Sequence, residues 1–345
     1  MSDYPWRITF DTNPDDCNLK CVMCEEHSPF SQRQADRIAC GQPSRRMDIR
    51  VLEQVLDELK DHPPREIIPS TMGEPLLYQD FDRIIGLCRL YGIRLNLTTN
   101  GTFPRRGVQE WARIIIPVGS DVKISFNGVS AATQQSIMRN TQLETVIDNI
   151  RNFVRLRDEL AVAGGNYCSV TLQLTFLEQN LSEIPDVVRL AAALNVDRVK
   201  GHHLWVHFPE MRDQDLRRSP ESVARWNKTA KECQAVATEN PRPNGKSVRL
   251  ENFSLLGFHP EHEVPAESEC PFLGKEAWVN HAGRFDPCCA PDELRKGLGH
   301  FGLVQKSGFL NIWKGETYHR LAEDYRGHPL CQSCLMRRPV EGRKE

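Results

Sequence analysis

The sequence predicts an α/β chain built on a parallel sheet, and three observations predict it. Strand-like and helix-like segments alternate about six times over the first ~205 residues. Three cysteines follow the first strand at once, and the chain turns short-stranded only after residue 270. Strands alternating with helices imply parallel pairing, and right-handed crossovers curve such a sheet toward a full or partial barrel. Ligands of parallel sheets sit beyond the carboxyl ends of the strands, so the cysteine loop stands where chemistry is expected.

Arg7–Asp11 alternates as a strand, Met47–His62 has apolar residues at helical spacing, and Glu66–Ser70 is a short apolar strand. The alternation continues through helix Phe81–Tyr91, strand Ile93–Thr99, helix Val108–Ile116, strand Val122–Phe126, helix Leu143–Ala163, strand Ser169–Phe176, helix Leu181–Leu194 and strand Arg198–Val206. From Pro209 the chain is charged, with one helix at Pro220–Ala237 and a turn or linker at Pro241–Lys246. Ala277–Cys288 reads as a hairpin turning at Ala282-Gly283, and Leu310–Tyr325 as a helix leading to Cys331-Gln-Ser-Cys334. The expected division is 1–208, a connection over 209–264 and a C-terminal domain over 265–345, against about 150 residues per domain on average. The basic tail from Arg337 to Lys344 reads as a solvated terminus.

Charged residues make up 26% of the 345 and the formal net charge is −2, so a basic nucleic-acid footprint is absent. The sequence has no apolar run near the ~18 residues of a membrane span. The N-terminus lacks a basic segment followed by an apolar one, so a secretory signal is not expected. A cytoplasmic location with reduced thiols follows as the expectation.

The 12 cysteines then need an explanation, since at this length they are too sparse for a disulfide scaffold. Cys88, Cys168 and Cys233 lie in apolar segments and read as small buried hydrophobes. Cys17, Cys21 and Cys24 form C-x3-C-x2-C, whose thiolates can converge on one metal centre. Zinc with His27 as fourth ligand is one reading. A [4Fe-4S] cluster with one iron left open is the other, and the absence of a second C-x2-C pair beside the loop favours it.

With C-x3-C-x2-C after the first strand, the chain resembles the radical S-adenosylmethionine (SAM) enzymes. Met23 stands at the motif's penultimate position, and Met72-Gly73-Glu74-Pro75 resembles that family's GGEP segment. Ser125-Phe-Asn127-Gly resembles its S-x-D-G segment, and Thr99-Asn100-Gly101 closes the third strand in a similar way. The resemblance implies a partial (βα)6 parallel barrel. In it Cys17, Cys21 and Cys24 hold a [4Fe-4S] cluster, and Met23, Gly73, Glu74, Asn100, Ser125 and Asn127 contact SAM. Cys270, Cys288, Cys331 and Cys334 resemble the ligands of the small α+β C-terminal domain called twitch, a shorter relative of SPASM, and imply an auxiliary [4Fe-4S] cluster. Cys289 in place of Cys288, and a four-cysteine zinc site, stay open.

The resemblance further implies reductive cleavage of SAM to a 5′-deoxyadenosyl radical, fed by a flavodoxin- or ferredoxin-type reductant. The first strand begins near residue 7, which favours a small-molecule substrate over a precursor peptide. A sugar or nucleoside-sugar intermediate of antibiotic biosynthesis is expected, with decarboxylation of a nucleoside uronic acid such as cytosylglucuronate as the leading reaction. Sugar or aminocyclitol dehydrogenation, epimerisation and peptide maturation are the alternatives, and a non-catalytic iron–sulfur electron carrier is the competing class. Lys200, His202, His203, Trp205 and His207 at the sixth strand's end are candidate substrate contacts, and Arg212, Arg217 and Arg218 candidate partners of a carboxylate.

Overall fold

The computed structural model of the chain describes residues 2–257, 268–334, 336 and 337. The end of the expected connection and the basic tail beyond Arg337 lie outside the described residues.

Among the described residues, nine strands form the main sheet. They are β1 (Arg7–Phe10), β2 (Glu66–Ile68), β3 (Arg94–Thr99), β4 (Gly119–Ser125), β5 (Ser169–Phe176), β6 (Arg198–His203), β7 (Arg249–Glu251), β8 (Glu276–Val279) and β9 (Phe285–Asp286). The spatial order is β9-β8-β1-β2-β3-β4-β5-β6-β7. Every pairing is parallel except the hairpin β8-β9. The six expected strands are all present and in sequential order. They alternate: Ile8, Phe10, Ile67, Leu95, Leu97, Val122, Ile124, Val170, Leu172 and Val199 give one face an apolar core, while the other carries buried polar groups, Thr9, Asn96, Asp121, Lys123 and Thr171.

The sheet extends beyond the six strands on both sides. Arg249–Glu251, inside the expected connection, pairs with β6, and three residues are too few to show periodicity. Glu276–Val279 pairs with β1 from Arg7↔Glu276 to Phe10↔Val279, and the Arg7 guanidinium clasps the Glu276 carboxylate. The C-terminal hairpin thus covers the edge of the first strand, whose backbone groups would otherwise be an open template. Its turn lies where the sequence placed it: Gly283 has φ +80° and donates to the Asn280 carbonyl.

Local chemistry trims the helices. Asp48 accepts the Arg50 N–H and starts one at Ile49, while Gly92 at φ +66° ends another after Tyr91. The helix expected over Leu310–Tyr325 breaks at Lys314-Gly315 into Phe309–Trp313 and Glu316–Asp324. Gly315 sits against the Asn311 carbonyl, where a Cβ would come within 2.9 Å. Short helices such as Arg33–Ala39 and Ala131–Ile137 escape the sequence reading; the first buries no residue, so it carries no apolar stripe.

Candidate active site

Because the strands are parallel, their carboxyl ends gather the chemistry on one side. Phe10 leads to the cysteine loop, Ile68 to Ser70–Pro75, Thr99 to Asn100, Ser125 to Asn127, His203 to Trp205, and Val279 to Asn280-His281.

The cysteine loop is anchored by a cluster of its own, Leu19 and Val22 against Ile137, Met138, Leu177, Leu204 and Met211, with Cys17, Cys21 and Met23 packed on it. Burial pushes the Cys17 thiol up to about 12, and raises Cys21 and Cys24 as well; Cys24 adds to the rise of Cys17, Cys24 and Cys17 to that of Cys21, and Glu26 and Glu25 to that of Cys24. Without a cation such a set stays protonated, whereas a bound metal centre releases those protons. The Leu19 N–H points at Cys17 Sγ and the His27 N–H at Cys24 Sγ, both at 3.4 Å, donors suited to anionic sulfur. His27 is committed elsewhere. Its Nε2 lies 2.8 Å from the Pro14 carbonyl oxygen and its Nδ1 3.3 Å from the Gln34 amide, which leaves no ring nitrogen for zinc.

Gly73 approaches this loop so closely that a Cβ would stand 2.3 Å from the Asn13 carbonyl oxygen, at a φ of +79°. Next to it Glu74 is 1% exposed. Its carboxylate accepts from the Asn100 N–H at 2.7 Å, the Thr99 hydroxyl at 2.8 Å and the Leu76 N–H at 3.2 Å. Burial outweighs these donors and raises Glu74 to about 7. Asn100 in turn donates to Asn18 Oδ1 and faces Cys17 Sγ at 4.0 Å. Cys17, Gly73, Glu74 and Asn100 therefore form one connected unit. Ser125 ends β4, and Asn127 beyond it is fully buried, with Oδ1 taken by the Thr175 N–H and its own N–H given to Gln134.

Two cavities lie near the strand ends. One, of about 170 Å³, lies between the cysteine loop and the C-terminal segment and is lined by Asp11, Glu25, Glu26, Arg45, Thr71, Trp205, His207, His281, Cys289, Asp292 and Arg295 among others. Burial raises Asp11 to about 6 and lowers His281 to about 4, so the imidazole is neutral near pH 7. The other, of about 380 Å³, is mostly apolar and lined by Cys270, Cys288, Cys289, Cys331 and Cys334 with Phe272, Leu273, Leu298 and Leu330. The Leu273 N–H donates to Cys270 Sγ. Four or five thiols around one enclosed apolar cavity can hold an iron–sulfur cluster.

Residues 14–199 match the family model described as the radical SAM superfamily, more than half of the chain. The chain belongs to that superfamily. Residues 270–335 match the SPASM model, an iron–sulfur cluster-binding domain. Radical SAM and SPASM domains together imply a SAM-binding [4Fe-4S] cluster and an auxiliary cluster. No curated protein matches the chain in sequence. Among solved structures, Streptococcus suis SuiB bound to S-adenosylmethionine is similar with a TM-score of 0.68 at 15% identity, covering 93% of this chain and 68% of that one. SuiB bound to its precursor peptide SuiA gives 0.65 at 14%, covering 93% and 67%. Native anSMEcpe with bound AdoMet gives 0.64 at 16%, covering 96% and 89%. These likenesses are of fold. Among the described residues no helix is long and apolar enough to cross a membrane.

In this radical SAM chain the end of β6 and the loop after it divide as the sequence could not show. Trp205 and His207 line the smaller cavity; Lys200, His202, His203 and Trp205 line the larger. His203 packs against Phe176 and Trp226, and burial lowers it to about 3, the behaviour of a core imidazole. Arg217 is held by Asp215 and the Leu204 carbonyl, and Arg218 by Glu178; none of Arg212, Arg217 and Arg218 is among the residues lining either cavity. The arginines that do reach the smaller cavity, Arg45 and Arg295, were missed with Asp11, Thr71 and His281, because they come from four separate segments. Glu25 and Glu26 carried a readable signal, standing directly after Cys24.

Proposed function

We propose that Cys17, Cys21 and Cys24 hold the SAM-binding cluster, that Cys270, Cys288, Cys331 and Cys334 hold the auxiliary one, and that the cavity between them takes a small, polar, carbohydrate-containing molecule. The cluster and SAM, when bound, supply a 5′-deoxyadenosyl radical that removes hydrogen from a carbon. Met23, Gly73, Glu74, Asn100, Ser125 and Asn127 stay the proposed surroundings of SAM. Gly73 lets the backbone come against the cysteine loop, and Glu74 fixes Asn100 beside Cys17. Trp205 lines both cavities.

The observation that carries the reading is the smaller cavity. It lies between the two cysteine groups and has a volume of about 170 Å³. Paired carboxylates and guanidiniums line it, suited to hydroxyls and to a carboxylate. Hydrogen loss beside a hydroxyl leaves a radical; a carboxylate on the neighbouring carbon can then depart as carbon dioxide, its bonding pair taking a solvent proton, and the remaining radical takes one electron from the reductant and one further proton. Decarboxylation of a nucleoside uronic acid such as cytosylglucuronate is therefore the leading reaction, with sugar or aminocyclitol dehydrogenation or epimerisation behind it. Peptide maturation is the second reading, supported by the peptide-bound structures of SuiB and anSMEcpe. A flavodoxin- or ferredoxin-type donor supplies the electrons.

The test is anaerobic reconstitution, then dithionite, SAM and one candidate at a time: cytosylglucuronate, an aminocyclitol, a short peptide. The expected result is 5′-deoxyadenosine in every case and carbon dioxide only with the uronic acid. No 5′-deoxyadenosine at all defeats the radical reading, and turnover of the peptide alone defeats the carbohydrate one.

A further inference from the structure

Two ion-pair networks reach the smaller cavity, one through Glu25, Glu26 and Arg45 and one through Asp292 and Arg295. Each is balanced in charge. In the first, Asp15, Glu25 and Glu26 meet Arg33, Arg37 and Arg45. In the second, Asp286, Asp292 and Glu293 meet Arg284, Arg295 and Lys296. Burial lowers His207 and His281, so neither imidazole adds a positive charge near pH 7.

Asp11 belongs to neither network. It is 8% exposed at the end of β1, and of the two cavities it lines only the smaller. Among the described residues no side chain bonds or ion-pairs with it; its carboxyl has only backbone, the Met72 N–H at 3.4 Å from Oδ1 and the Thr71 N–H nearby. Its Oδ2 accepts no well-formed hydrogen bond and is not sealed off by protein, so it opens on the cavity. Burial raises Asp11 to about 6, and the more distant pull of Arg295 and Arg45 does not offset it. A buried charge is ordinarily paired, and the chain supplies no cation for this one. A substrate hydroxyl would bond to Oδ2 but leave the charge uncompensated. A metal ion would need several such carboxylates, and the other acids of the wall already hold their arginines and lysine. None of the residues proposed around SAM lines this cavity.

We propose that Asp11 is a specificity-determining residue that binds a cationic N–H donor of the substrate. Such a donor is the ammonium of an amino sugar or aminocyclitol, or the aminopyrimidine edge of a nucleoside, protonated against the carboxylate. The inference rests on the carbohydrate reading above and narrows it to members that carry an amino group. The contact is a charge-assisted hydrogen bond from nitrogen to Oδ2.

The test is anaerobic calorimetry on the reconstituted, SAM-bound enzyme with two matched pairs, scyllo-inosamine against scyllo-inositol and cytidine against uridine. In one pair the amino-bearing member is expected to bind about ten-fold tighter or more, and Asp11→Asn to remove that preference. The pair that responds tells an ammonium from an aminopyrimidine. Equal binding or none in both pairs overturns the proposal, as does Asp11→Asn that keeps the preference while losing affinity for SAM or for nothing at all. A second measurement needs no variant. Carbodiimide with glycine ethyl ester amidates carboxyl groups, and mass spectrometry compares Asp11 with the exposed Glu316. The tighter-binding probe should protect Asp11 and not Glu316, its match neither; an unprotected Asp11 overturns the proposal. Absence of 5′-deoxyadenosine refutes the radical reading, and turnover of a peptide alone refutes the carbohydrate one; both are read separately from probe binding and protection.

Discussion

Replacing Gly73 by alanine should disable the cysteine loop through a contact that involves no cysteine. Two costs can be worked from the structure. The backbone of Gly73 sits at φ +79°, where an L-residue costs about 1–2 kcal/mol. The new methyl group would lie 2.3 Å from the Asn13 carbonyl oxygen and 2.8 Å from that of Asp16, so the segment before Cys17 must retreat by about 1 Å to reach ordinary contact at 3.4 Å. That retreat breaks the bond from the Glu74 N–H to the Asp16 carbonyl, 2.7 Å, or the one from the Asn13 amide to the Glu74 carbonyl, 2.9 Å. A buried group left without its partner costs about 1–3 kcal/mol. The sum is about 2–5 kcal/mol, a large part of the roughly 5–15 kcal/mol that holds a typical domain folded. Urea unfolding of the metal-free Gly73→Ala protein measures it, and iron content after anaerobic reconstitution measures the effect on the loop. Gly41→Ala is the control, since Gly41 shares the left-handed backbone at φ +64° but has nothing within 4 Å of the added carbon. A Gly73→Ala protein that unfolds like the Gly41→Ala control and binds full iron would refute the reasoning.

Cys17→Ala, Cys21→Ala and Cys24→Ala are each expected to abolish 5′-deoxyadenosine formation and lower iron from about eight to about four atoms; elemental analysis showing one zinc and four irons in the unmodified protein would remove the auxiliary cluster. Burial lifts Asp11 from 3.8 to about 6, a shift worth about 3 kcal/mol at about 1.4 kcal/mol per unit. Because the folded value is the higher one, this stability is fully present below about pH 4 and is lost as pH rises through about 6. Asp11→Asn should flatten the stability profile of the metal-free protein across that window, and an unchanged profile would show Asp11 to be solvated. Arg157→Met removes the guanidinium 2.5 Å from Asp197 in the barrel wall and should destabilise by about 3 kcal/mol, the lower end for a broken buried pair, because Tyr167 and Arg242 still bind that carboxylate. Chemical denaturation reads it directly.

The sequence by itself determined the features that repeat or lie close together. Six strands alternating with helices are periodic signals, and periodicity is local. The three-cysteine loop and the Met72–Pro75 segment were legible because each is a run of adjacent residues whose place follows from being at a strand's end. The turn at Gly283 was legible for the same reason. Only the tertiary structure decided what depends on residues far apart. The pairing of Glu276–Val279 with the first strand joins positions 269 apart in the chain, and no local pattern records which edge a strand will cover. The smaller cavity assembles Asp11, Arg45, Thr71, His281 and Arg295 from separate loops, each an ordinary polar residue in its own neighbourhood. Likewise the neighbouring Cys288 and Cys289 are indistinguishable as letters. Consecutive side chains leave the backbone in different directions, and only the walls around them show that one meets the thiol cavity alone while the other meets both.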